Sequence, residues 1–110
     1  MANPALPLLQ GSLDLLVLGA LSSGATHGYG VATLVRQRSG GVLQVEDAAL
    51  YQALHRLERK GQIGAEWGLS GNNRRARFYQ LTGEGRKRLD IETSKWRLYA
   101  HAVSAVLDGV

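Results

Sequence analysis

The chain has 110 residues, 45% of them hydrophobic, with no cysteine and a formal net charge of +4. The length gives one domain with a thin core that a partner subunit would help to cover. The composition excludes disulfides, a thiol nucleophile and cysteine-based metal sites. No apolar run reaches the roughly 20 residues needed to cross a membrane. The first ten residues carry no charged side chain and make a poor signal peptide, so a cytoplasmic location without a membrane partner is expected. The charge is concentrated: between Leu50 and Arg88 nine basic residues stand against three acidic ones, a net of +6. Such clustering is an electrostatic footprint for a polyanion, with a merely solvated surface as the plainer alternative.

Both prolines, Pro4 and Pro7, precede the regular structure, and Leu6, Leu8 and Leu9 are apolar enough to expect a packing partner. A first helix is expected over about 11–21, where Leu13, Leu16, Val17, Ala20 and Leu21 fall at helical spacing before Ser22-Ser23-Gly24. A second is expected over about 27–38 on Val31, Leu34 and Val35; Gly40-Gly41 stops it and a short extended piece, 42–45, follows. The third, about 46–60, has Glu46 and Asp47 at its start and Arg59, Lys60 and Gly61 at its end, the charges that suit each end of a helix. The period then changes to two. Ile63, Ala65, Trp67 and Leu69 alternate with Gly64, Glu66 and Gly68, the turn cluster Ser70-Gly71-Asn72-Asn73 follows, and 75–81 reads as the returning strand. Thr82 can cap a last helix over about 83–107, with Glu84 in its first turn. At about 1.5 Å per residue that helix would be nearly 40 Å long.

The order α-α-α-β-β-α predicts a mainly α fold with a β-hairpin, a winged helix-turn-helix, over 1–82, and a long C-terminal dimerisation helix over 83–110. Turned through 100° per residue, the third helix gathers Leu50, Ala53, Leu54 and Leu57 on one face. Ala48, Gln52, His55 and Arg59 lie opposite, flanked by Tyr51 and Arg56. Arginine can pair with guanine, and glutamine with adenine, through two hydrogen bonds each. A small residue at Ala48 allows close approach to a groove. The hairpin tip, with Asn73, Arg74, Arg75 and Arg77, suits the phosphate backbone or the minor groove, against a solubilising loop as the bland reading.

Other chemistries find little footing. His27, His55 and His101 fall on three different helices without an acidic cluster, so no metal site is expected. Gly28-Tyr29-Gly30 follows no strand and lacks the third glycine of a dinucleotide fingerprint; close helix packing explains it better. No catalytic spacing stands out, so neither an enzyme nor a cofactor is expected. On the last helix Leu89, Trp96, Val103 and Val110 repeat every seven residues, and Thr93, Ala100 and Leu107 fill the other register. This seam and the Leu6 to Leu9 arm are expected to meet a second subunit, with intramolecular packing as the alternative. Two Trp96 indoles would then face each other, either as dimer core or as a slot for a flat aromatic effector.

The stretches Leu8-Leu9-Gln10-Gly11-Ser12-Leu13-Asp14, His27-Gly28-Tyr29-Gly30, Leu50-Tyr51, Ala53-Leu54-His55-Arg56-Leu57-Glu58 and Asn73-Arg74-Arg75-Ala76-Arg77-Phe78-Tyr79-Gln80-Leu81-Thr82 together closely resemble the PadR family of bacterial winged-helix transcriptional regulators. The length is similar to its short subgroup with a single C-terminal helix. The resemblance implies a homodimeric cytoplasmic repressor on a palindromic operator in double-stranded DNA, with Tyr29 and Tyr51 at the DNA surface. It also implies a kinship with members that bind planar compounds between their C-terminal helices. Two positions depart from the family pattern: Ala49 stands where a serine or threonine is usual, and Gln52 where proline is usual. The operator sequence therefore does not carry over. A winged-helix module that binds proteins and no DNA is the rival expectation.

Overall fold

Residues 6, 8, 9 and 11–109 are described by the computed structural model; Pro4, Pro7, Gln10 and the seam residue Val110 lie outside them. The elements run α1 (Leu13–Leu21), β1 (Thr26–His27), α2 (Gly28–Arg38), α3 (Asp47–Arg59), β2 (Ile63–Leu69), β3 (Arg75–Leu81) and α4 (Gly83–Leu107). The six expected elements follow one another as expected, with the mainly α architecture, the hairpin and the long last helix, and one short strand is added between α1 and α2. Helix starts differ by a residue or two: Ser12, His27 and Glu46 cap the first three helices rather than belonging to them. The expected extended piece 42–45 is no strand; it holds a single parallel bridge between Leu6 and Leu43.

One strand was not expected. β1 pairs antiparallel with β3, Thr26 opposite Tyr79 and His27 opposite Phe78, which makes a three-stranded sheet in the order β1-β3-β2. A two-residue strand has no period to read; its partner, not its sequence, makes it.

The core forms where four apolar faces meet. Val17, Leu18 and Leu21 of α1, Val31 and Val35 of α2, Leu50, Ala53, Leu54 and Leu57 of α3, and Ile63 and Tyr79 of the sheet are buried together. Removing one of the larger of these side chains would cost about 2–5 kcal/mol. The first three helices turn their predicted stripes toward this core, with two differences: Leu18, outside the expected stripe of α1, is fully buried, and Leu13, Leu16 and Leu34 are only partly so.

Two local devices orient α2 and α4. His27 Nδ1 accepts a hydrogen bond from the Gly30 amide at 3.0 Å, capping α2. At Gly30 a β-carbon would overlap the Thr26 hydroxyl, and at Gly28 it would sit 3.1 Å from the Tyr51 ring. The Gly-Tyr-Gly stretch thus lets α2 start hard against β1 and α3, the close packing expected of it; contrary to expectation it does follow a strand, the two-residue β1, but the third glycine of a dinucleotide fingerprint is still missing. At the other end Thr82 Oγ1 accepts from the Gly85 amide at 3.1 Å and donates to the Gly61 carbonyl at 2.6 Å, tying α4 to the turn after α3.

Candidate nucleic-acid interface

α3 divides by face as its wheel requires. Leu50, Ala53, Leu54 and Leu57 are buried, while Ala48, Tyr51, Gln52, His55 and Arg59 are exposed and Arg56 is half-buried. Beside it the β2–β3 hairpin rises as a wing. Between helix and wing lies an open groove of about 760 Å³, bordered by Tyr29, Tyr51, His55, Trp67, Arg74 and Arg75 among others. Tyr79 closes its floor; burial pushes its phenol above the ordinary tyrosine value, so it stays protonated and neutral.

The wing tip is held by its own backbone. The Ser70 amide donates to the Arg74 carbonyl at 2.8 Å, and Asn73 turns the chain with φ 62°, a left-handed value that asparagine tolerates better than most residues. The Ser70 hydroxyl and the Asn72 side-chain oxygen are 2.6 Å apart. Arg74 and Arg75 leave this turn exposed.

The predicted site residues do not all converge. Tyr29, Tyr51, His55, Arg74, Arg75 and Arg77 border the groove. Ala48, Gln52 and Arg59 lie along the exposed face of α3 outside it, and Asn73 lies at the tip. Two arginines expected to reach DNA already hold carboxylates. Arg56 meets Asp14 of α1 at 2.6 Å, and Arg77 meets Glu58 of α3 at 2.7 Å. Both pairs are partly buried, so these guanidiniums join elements of the protein to one another.

Sequence reading missed Trp67. Its alternation with Ile63 and Ala65 places it on the core-facing side of β2, yet the core ends at Ala65 and the indole is 62% exposed. The guanidinium of Arg75 lies 4.7 Å from its ring centroid. The signal was the strand's length: an alternating apolar face seven residues long outruns so small a core.

α4 differs from expectation at its near end. Leu89, placed on the dimer seam by its heptad, packs against the core of its own chain. Leu15, Leu16, Leu34, Leu89, Thr93 and Trp96 border an apolar cleft of about 390 Å³ between α1, α2 and α4. The seam beyond Trp96 leaves the domain. Opposite the heptad, and unseen in it, lie Ile91 and Leu98, with Val106 on the flank between the two faces; Leu98 and Val106 are 71% and 79% exposed. The apolar arm is also partly engaged at home: the Leu6 amide donates to the Val42 carbonyl at 2.8 Å, although Leu6 and Leu9 remain exposed.

Among the described residues no group of histidines and acids could hold a metal ion, and no helix is long and apolar enough to cross a membrane.

Comparison with known proteins places these features in company. The family model described as "Transcriptional regulator PadR-like family" matches residues 17–91. A PadR family transcription regulator from Clostridium difficile is 30% identical, with TM-score 0.76 over 88% of this chain and 99% of its own. A transcriptional regulator from Clostridium thermocellum is 26% identical, with TM-score 0.77 over 86% of this chain and 92% of its own. An uncharacterised protein of Lysinibacillus sphaericus is 23% identical over 103 residues, 94% of each chain.

Proposed function

The chain belongs to the PadR-like family of transcriptional regulators, and from that premise we propose that it acts as a homodimeric repressor on a palindromic operator. DNA binding is the family's means of regulation, and the observation that carries it to these residues is the groove between α3 and the wing. Its rim holds two arginines with no carboxylate partner among the described residues, Arg74 and Arg75, together with the Tyr29, Tyr51 and His55 side chains. Residues 1–82 form the reading unit. Gln52, His55 and Arg59 face base edges in the major groove, with Ala48 allowing close approach, and Asn73, Arg74 and Arg75 follow the backbone.

Residues 83–110 form the dimerisation arm. α4 spans about 37 Å at 1.5 Å per residue, further than its own domain can cover. Trp96, Ala100, Val103 and Leu107 on one face, Ile91 and Leu98 on the other, Val106 on the flank, and Leu6 and Leu9 from the N-terminal arm supply apolar surface for a second copy. An isologous contact of this kind sets the spacing of the two α3 helices and with it the half-site separation. Repression follows from occupancy of an operator that overlaps a promoter, in the cytoplasm. Trp96 serves this dimer core. A planar aromatic effector lodged between paired indoles would change the distance between reading helices, and the cleft beside Trp96 is where it would enter.

The test is a gel shift on DNA upstream of the protein's own gene, repeated across salt. A retarded band that weakens steeply with salt is expected. No shift with any genomic fragment would leave the protein-interaction module as the better reading.

A further inference from the structure

The two arginines that alternate along β3 are held in opposite ways. Arg77 is gripped by the Glu58 carboxylate at 2.7 Å, which offsets its charge. Arg75, two residues on toward the tip, lies over the Trp67 indole at 4.7 Å. A ring fixes the plane of a guanidinium without cancelling its charge. Arg75 therefore combines a restrained position with a full positive charge at the rim of the groove. Trp67 has no task in the fold to explain it: Ile63 and Tyr79 are buried on the same face, whereas Trp67 and the following Leu69 are exposed. In register Trp67 stands opposite Arg77 and Leu69 opposite Arg75, so the indole lies diagonally beneath the Arg75 side chain.

We propose that Trp67 is a positioning residue of the DNA interface, stacking on Arg75 to hold its guanidinium against a backbone phosphate at the wing. This rests on the DNA-binding reading above. The indole borders the same groove as Tyr51 and His55, where it would help to keep water from the phosphate contact. Ordering a long side chain in advance removes an entropy cost that binding would otherwise carry.

The experiment is a double-mutant cycle on operator affinity with the full-length protein. Trp67→Ala is expected to weaken binding about two- to fivefold per subunit, the scale of an exposed cation–π contact. In an Arg75→Ala background the same change is expected to have no further effect, because its partner is gone. Trp67→Phe, which keeps a ring, should restore much of the affinity. Thermal midpoints of all variants should match the parent, since the indole touches no core. An equal weakening in both backgrounds, a Trp67→Ala protein that binds as well as the parent, or a Trp67→Ala protein that melts several degrees lower, would each overturn the proposal while leaving the DNA reading intact. A parent protein that binds no DNA fragment overturns that reading and this inference together.

Discussion

Charge at the α3–wing surface is divided by partner rather than by position. Arg56 and Arg77 are tied to Asp14 and Glu58, while Arg74 and Arg75 project from a hairpin turn. Of these four, only the second pair has no carboxylate partner among the described residues and is free to displace counterions from a phosphate. Arg74→Ala and Arg75→Ala are therefore expected to weaken binding to every sequence and to flatten the plot of log affinity against log salt by about 0.9 for each phosphate left without its cation. Arg56→Ala should instead lower stability by no more than about 1 kcal/mol for a pair still partly open to solvent, read as a slightly lower thermal midpoint, and leave the salt slope alone. An Arg56→Ala slope as flat as that of Arg74→Ala would refute the division. Gln52 belongs to a third kind: exposed on α3, uncharged, able to donate and accept. Its change to alanine should relax preference at one or two base pairs, at a cost of about 1–3 kcal/mol, read by selection of binding sites from a random pool. An unchanged selected motif means that Gln52 reads no base.

At the scale of elements, the wing and α4 depend on one glycine. Gly85 is buried in the first turn of α4, and a β-carbon there would overlap the Gln62 carbonyl oxygen. Gln62 also accepts from the Thr82 amide at 3.1 Å, so any shift that relieved the overlap would disturb the cap of the helix. Gly85→Ala is expected to destabilise the protein by about 3 kcal/mol, at the upper end of overpacking, as a lower urea midpoint; an unchanged midpoint would mean that α4 can dock with a β-carbon at this position. Further along α4, Leu98 is an exposed leucine on the face opposite the heptad seam. If both faces of the helix meet a second copy, Leu98→Asp should dissociate the dimer as effectively as Trp96→Ala, measured by sedimentation. Full dimer retention in the Leu98 variant would confine the interface to the seam.

The whole molecule measures 53 × 36 × 22 Å, elongated because α4 runs out past the domain that starts it. In the proposed dimer this shape would couple the two ends of each subunit, since whatever moved the paired α4 helices would move the wings with them. Trp96, beside Tyr99 with ring centroids 6.3 Å apart, reports on that junction. In a Trp67→Phe background, titration with planar aromatic compounds should quench Trp96 saturably if a slot exists between subunits. An unchanged spectrum across a varied set leaves Trp96 a dimer-core residue and nothing more. Either role places it at the interface, so an intact Trp96→Ala dimer counts against both.

Periodicity carried the fold because the core is built from faces that each repeat locally. The stripes of α2 and α3, that of α1 but for Leu18, the alternation of β2 and the cap at Thr82 are properties of neighbours in sequence and are legible there. So was the polar face of α3, since a helix with one buried side must expose the other. Contacts between distant residues had no such signature. The β1 strand exists only because Tyr79 and Phe78 lie beside it, and the pairing of Arg56 with Asp14 spans 42 positions. A heptad on α4 looks the same whether it meets a second chain or the flank of α1, and packing alone put Leu89 on its own core. Sequence could show that Trp67 faces the inner side of its strand; only the tertiary structure, by ending the core at Ala65, left that indole in the open with an arginine over it.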